Sequence, residues 1–360
     1  MITKGNKGEW SEFYAFVKLI ADRKLNGATE NLEKIEDIFY PVLKIIRNEA
    51  TGVHGYEMLD DGKVRILKSG EEIAIVDSSD LKSKVVSIFN QIKAGNEASF
   101  EVPIAQEIME RFNVQRLNAG NTRKEDIVLK IHDRSTGMDP EVGFSIKSML
   151  GSAATLLNAS SATNFTFQIS GLSDKDITEI NKISSKSKVR DRLREIINRG
   201  GKISFAKIDS LVFEKNLRKV DTVLPEIVAE LLLAYYGDLG PTLNQLVGHL
   251  GENNAKILSF DMDQSDYEFK LKALLHNIAL GMVPNTAWDG LLRAHGGYII
   301  VREDGEIVCY HVYNADAFRT YLFKNTKLET PSTSRHGFGK IVKEENGHIL
   351  KLNFQLRFVR

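Results

Sequence analysis

The stretch DIVLKIHDRSTGMDPEVGFSIKS, Asp126 to Ser148, opens on an acid and closes on a lysine, with a serine two residues before the lysine. Side chains alternate along a strand. Ile127, Leu129 and Ile131 form one apolar face, which leaves Asp126 on the other. In the second segment Phe144 and Ile146 are apolar, which leaves Gly143, Ser145 and Lys147 opposite. Paired as a hairpin about the loop 133–140, the two strands place Asp126 across from Lys147 on a shared face. A carboxylate and an ammonium converging beside a glycine suit metal-assisted phosphodiester hydrolysis. The carboxylate holds Mg²⁺, which keeps several waters and takes one or two protein carboxylates. The metal stabilises charge on the phosphate and activates a water. The lysine orients or deprotonates that water, or neutralises the developing charge. The competing reading is a plain cross-strand ion pair, worth about 0.2–1 kcal/mol.

Helices and strands must position these groups. Glu9 to Lys24 reads as a helix, since Trp10, Phe13, Val17 and Ile20 recur at helical spacing and Phe16 and Leu19 widen the stripe. NLEKIEDIFYPVLKIIRNEA reads as a second helix, kinked or broken at Pro41. Short strands follow over 56–76. SDLKSKVVSIFNQIKAG is a helix between a cap at Ser79 or Asp80 and Gly95, and EVPIAQEIMERFNV is another. TNFTFQISG is a strand, and the basic stretch Lys182 to Lys202 is helical at its centre. LPEIVAELLLAYYG and YEFKLKALLHNIALGM are helices. GGYIIVREDGEIVCYHVY is a hairpin turning at Asp304-Gly305. The tail HILKLNFQLRFV alternates strictly, with Leu350, Leu352, Phe354, Leu356 and Phe358 on one face and Asn353, Gln355 and Arg357 on the other. The class is mixed α/β (α+β), with a boundary expected near residue 220 between a core over 1–220 and a C-terminal part over 221–360.

Composition bounds the rest. The 360 residues are 42% hydrophobic and 27% charged, those of an ordinary globular protein. Acids and bases balance at 48 each, so net charge points to no polyanionic partner. A single cysteine, Cys309, excludes an internal disulfide and fits a reducing compartment. The N-terminus lacks a signal peptide's apolar core, and no apolar run approaches the ~20 residues of a membrane span. A cytoplasmic protein is expected. His295, His311 and Cys309 lack the recurrent spacing of a zinc set and read as structural.

An acid opening one strand, then x-Lys closing the next, resembles the PD-(D/E)xK nuclease superfamily. More narrowly, three long blocks resemble the HpaII family of type II restriction endonucleases. They are GNKGEWSEFYAFVKLIADRKL…ENLEKIEDIFYPVLKIIR, DIVLKI…VGFSIKSMLGS…SSATNFTFQISG, and RAHGGYIIVREDGEIVCYHVYNADAFRTYL…PSTSRHGFGKI…KLNFQLRF. The likeness spans nearly the whole chain. It implies a nuclease core of mixed sheet flanked by helices, and Mg²⁺-dependent cutting of double-stranded DNA at CCGG. It also implies a prokaryotic cytoplasm and a cognate methyltransferase acting on the same sequence. A palindromic target favours a homodimer, with one active site per strand.

Ser145 stands where the superfamily has an acid, so a carboxylate is expected from elsewhere. In some superfamily members a helix supplies it, and the candidates here are Glu9 and Glu12. On a helical wheel both fall among Trp10, Phe13, Phe16 and Leu19 rather than with Ser11, Lys18 and Asp22. A carboxylate on a core side needs a partner, and a metal supplies one. Glu9 also suits the first-turn dipole, so Glu12 is preferred. Glu141 shares the parity of Ser145 but lies ~13 Å from it at strand rise. Asp133 and Asp139 read as turn formers. The catalytic set is then Asp126, Lys147, Glu12 and Ser145, with Asp126 and Glu12 on the metal.

Candidate DNA contacts follow from arginine's pairing with guanine. Arg190 and Arg192 in KVRDRLREI resemble the R-(D/E)-R element of other endonucleases that read CCGG cores, though a solvated helix face explains them as well. Arg335 and His336 lie in the loop-like STSRHGFGK, and Thr163 and Asn164 precede a strand near the site. Gln168 and the face of Asn353, Gln355 and Arg357 carry base-reading side chains. A DNA-binding protein without cleavage is the alternative that Ser145 keeps open.

Overall fold

Helix α1 (Lys7–Asp22) starts at a reciprocal cap. Asn6 Oδ1 accepts from the Gly8 and Glu9 amides, and Glu9 Oε2 accepts from the Asn6 amide at 2.9 Å. Trp10, Phe13, Phe16, Val17 and Ile20 are at most 1% exposed. The side expected to be polar is covered too. Ser11 is fully buried, and Lys18 is held by Asp22 at 3.0 Å and by Glu306 at 3.2 Å. A helix buried nearly all round belongs to the core. It packs on helix α2 (Leu81–Ala94) and on the strand Glu141–Ser148. Helix α3 (Pro103–Arg111) opens with proline at its first position.

The computed structural model describes residues 3–118, 125–253, 262–345 and 347–359. Its contacts divide the chain into two units, Met1–Ala154 with Leu292–Tyr321 and Thr155–Leu291 with Leu322–Arg360. This replaces the single boundary near residue 220.

Nine strands form the main sheet of the first unit among the described residues. In chain order they are β1 (Lys24–Ala28), β2 (Lys34–Glu49), β3 (Gly52–Met58), β4 (Lys63–Lys68), β5 (Glu71–Asp77), β6 (Ile127–Ile131), β7 (Glu141–Ser148), β8 (Gly297–Val301) and β9 (Ile307–Tyr310). The spatial order is β1-β9-β8-β7-β6-β2-β3-β4-β5. Because β1 also pairs with β2, the first six close a ring of pairings. β7 runs parallel to β8 and β9 parallel to β1, while the other pairs are antiparallel. The mixed sheet with helices bears out the α/β (α+β) class. Parallel partners need a long crossover, and here the stretch Thr155–Leu291 of the second unit lies between β7 and β8. That is why the hairpin β8–β9 belongs with the first unit.

Residues 34–49 are a strand, which corrects the helix expected there. Ile35, Ile38, Phe39, Tyr40, Val42, Ile45 and Ile46 are β-branched or aromatic and fit a pleated surface. Pro41 does not break the strand, because it sits where β2 changes partner. Residues up to 41 pair with β1, and Val42 begins the pairing with β6. A proline is tolerated where the ladder needs no donor.

The second unit has a four-stranded sheet in the order Lys202–Ile208, Asn164–Ser170, Gly347–Asn353, Ile341–Glu344. A three-stranded sheet orders Thr155–Leu157, Leu356–Phe358, Thr326–Leu328. The alternating tail therefore serves two sheets, with Leu350, Leu352, Phe354, Leu356 and Phe358 all buried. No helix among the described residues is long and apolar enough to cross a membrane.

Phe16, fully buried against Tyr56 at a ring separation of 4.8 Å, sets a test of this core. Phe16→Ala is expected to cost about 3–5 kcal/mol in urea unfolding, and a loss below about 1 kcal/mol would mean α1 is not the central helix.

Candidate active site

The turn between β6 and β7 fixes the register of the site. Asp133 bridges to Met138, its Oδ1 accepts from the Ser135 amide, and Gly137 takes φ +71°, a left-handed value that favours glycine. Asp139 bonds His132 at 2.8 Å, so both acids form the turn, as expected. The register then pairs Ile127 with Phe144. Asp126 consequently falls opposite Ser145, not opposite Lys147. The shared face survives this correction, because Ser145 and Lys147 have the same parity.

Hydrogen bonds link the three residues. Ser145 Oγ donates to Asp126 Oδ2 at 2.9 Å, and Lys147 Nζ donates to Ser145 Oγ at 2.8 Å. The Ile146 amide donates to the same Asp126 oxygen at 2.7 Å. Lys147 Nζ stays 3.9 Å from Asp126 Oδ2 and 5.3 Å from the centre of the Tyr298 ring. Ser145 is 1% exposed, whereas the side chains of Asp126 and Lys147 are 28% and 25% exposed. The structural residue of the chain is thus buried, and its two charged ends reach the surface.

α1 meets this strand one residue further on. Ser11 and Ser148 hydroxyls are 2.7 Å apart, next to Glu12 and Lys147 respectively. Burial pushes the Glu12 carboxyl up to about 8, and the negative charge of Asp126 adds to the rise. Lys147 and Arg47 oppose it. Glu12 therefore shares the electrostatic field of Asp126 and Lys147. Glu9 is committed to the α1 cap. Glu141 is exposed at the far end of β7.

Arg47, on β2, is a site neighbour that sequence reasoning missed. It is 2% exposed, bonds Glu49 at 2.9 Å, and donates to the carbonyls of Arg116 and Leu117. Reading its segment as a helix hid the alternation that would have pointed it inward. Tyr298, beneath Lys147, carried no distinguishing signal within an apolar hairpin arm. Gly297 beside it is required by space, since a Cβ there would lie 1.7 Å from the Tyr310 carbonyl oxygen.

Among the described residues, no group of three or more His, Cys, Asp or Glu side chains is placed to hold a metal ion. Cys309 is fully buried, and burial holds the His311 imidazole down at about 4. His311 packs against Tyr40 at 4.8 Å, and His295 Nε2 lies 3.4 Å from the Glu141 carbonyl oxygen.

The second unit holds the expected DNA contacts, and three of them are corrected. Arg192 is 4% exposed and donates to the carbonyls of Gly339, Asn181 and Ile183. Thr163 and Asn164 are at most 2% exposed. They bond Ser160, Asn353 and the His336 carbonyl. These side chains are engaged in satisfying buried groups of the second unit. Asn353, 1% exposed, belongs to the same network. Arg190 pairs with Asp238 at 2.8 Å and lies over Tyr235. Arg335 is exposed, and His336 half-buried, on a short helix capped by Ser332.

The chain is a restriction endonuclease, a site-specific deoxyribonuclease of type II. It belongs to the HpaII restriction endonuclease family, whose sequence model matches residues 6–358. It is 41% identical over 357 residues to the type II restriction enzyme HpaII of Haemophilus parainfluenzae, covering 99% of this chain and 98% of that protein. No solved structure matches the chain.

Glu12 gives a pH test of the site. Folded, it keeps its proton up to about pH 8, while the unfolded chain releases it near 4.5. The folded state binds more protons between those values, so this residue lowers stability as pH rises through that window. Without metal, Glu12→Gln is expected to gain on the wild type by on the order of 1 kcal/mol or more across that window. Urea titrations in EDTA would measure it, and parallel profiles for the two proteins would refute the coupling.

Proposed function

We propose that this restriction endonuclease makes Mg²⁺-dependent double-strand cuts at CCGG, from an active site of PD-(D/E)xK type built on Asp126, Ser145, Lys147 and Glu12. The observation that carries the reading is the hydrogen-bonded chain Asp126–Ser145–Lys147 on the face whose field Glu12 shares. The CCGG target rests on the family resemblance, and a homodimer matches a two-fold target.

The residues fit a magnesium site. Mg²⁺ takes one or two carboxylates and keeps its remaining waters, and burial, with the negative charge of Asp126 added, raises the proton affinity of the Glu12 carboxyl in the absence of a cation. Bound there, the ion supplies Lewis-acid stabilisation of the scissile phosphate and an activated water. Ser145 takes the acid's place in the motif. Its hydroxyl orients Asp126 by donating to Oδ2 and orients Lys147 by accepting from Nζ. Glu12 supplies the second carboxylate that position 145 lacks. Lys147 has three donors and uses one on Ser145. The others are available to orient the attacking water or to neutralise charge on the phosphate.

Digestion of a plasmid with Mg²⁺, with the ends sequenced, tests the reading. The wild type should give fragments ending at CCGG. Asp126→Ala and Lys147→Ala should lose about two orders of magnitude or more in rate while keeping wild-type melting. Ends at another sequence would replace the target, and wild-type rates in either variant would relocate the site.

A further inference from the structure

The chain has 48 bases and 48 acids, and several cations of the second unit are taken up by neighbouring acids. Arg199 takes Asp176, Glu179 and Glu195, Arg218 takes Glu214 and Glu226, and Lys351 takes Asp209. One groove differs. It has a volume of about 590 Å³ and is lined by Lys186 and Lys188 at the start of the helix Lys188–Asn198, and by Ser332, Thr333 and Ser334 facing them. Neither lysine forms an ion pair among the described residues, and neither does Arg335, the next residue along that hydroxyl run.

The acids on these elements are already engaged. Asp191 accepts from Ser185 and Ser187 and meets Arg194 at 3.6 Å, and Asp238 takes Arg190. Tyr236 also lines the groove and is 1% exposed. Unpaired cations and three hydroxyls along one groove match a polyanion carrying regularly spaced acceptor oxygens.

We propose that this groove binds the phosphodiester backbone of duplex DNA, with Lys186, Lys188 and Arg335 as its phosphate-contacting cations. The proposal rests on the reading that the enzyme acts on duplex DNA, and it assigns the second unit a part in holding that duplex. Arg190, neutralised by Asp238, contributes shape rather than charge.

The test measures binding of a fluorescent CCGG duplex and of a scrambled duplex by the full-length enzyme, across a salt series in Ca²⁺. Each of Lys186→Ala, Lys188→Ala and Arg335→Ala should reduce the slope of log affinity against log salt by about 0.9 per lost phosphate contact. The loss should be equal for the two duplexes, since phosphate contacts carry no sequence information. Lys82→Ala, on α2 of the first unit, serves as the charge control and should leave the slope unchanged. Unchanged slopes in an enzyme that still binds and cuts would overturn the groove while leaving the nuclease reading intact. A loss confined to the CCGG duplex would also overturn it, by making these residues base readers. A wild type that binds no duplex would overturn the reading beneath both.

Discussion

The Ser145 hydroxyl is the contact on which the candidate site depends. Buried to 1% exposure, it holds an aspartate by donation and a lysine by acceptance. A hydroxyl can do both at once, and a carboxylate cannot, because an ionised acid only accepts. The serine therefore keeps Lys147 3.9 Å from Asp126. At that spacing, one charged hydrogen bond is replaced by two bonds to a neutral group. Both charged side chains stay partly open to solvent, and so to a substrate.

This arrangement shifts a burden onto α1. The helix is the centre of the first unit's core, and it also carries Glu12 to the face beside β7. The Ser11–Ser148 contact ties the helix to the strand one residue from each proposed catalytic group. A carboxyl desolvated in that position is costly when charged, which is why it holds its proton to about pH 8. A divalent cation, bound as proposed, would reverse that cost. Core packing and proposed chemistry are therefore served by the same helix, and substitutions in α1 will act on both.

The shared face of Asp126, Ser145 and Lys147 was legible in the sequence, because strand periodicity depends only on parity. The pairing register was not. It is decided by the Asp133–Met138 turn, whose two-residue difference from the expected hairpin shifts every opposite pair without changing faces. Glu12 could be preferred over Glu9 because it sits deeper along α1 while Glu9 lies in the first turn; the Asn6–Glu9 cap emerged only in the structure. β2 was hidden because its apolar residues also fit a helical stripe, and only its three strand partners decide the matter. Arg192 reads as a DNA contact from the R-(D/E)-R likeness, and Thr163 and Asn164 from their place before a strand near the site. Their task is to satisfy backbone groups in the interior, a demand set by loops that no local pattern reveals.

The central claim is that Asp126 and Glu12 together hold the catalytic cation. Calorimetric titration of Mn²⁺, a spectroscopically convenient stand-in for Mg²⁺, into the wild type, Asp126→Asn and Glu12→Gln tests it most directly. One site is expected in the wild type, with an affinity weakened by about tenfold or more in each variant, as loss of a ligand requires. Wild-type affinity in Glu12→Gln would contradict it and remove α1 from the metal site.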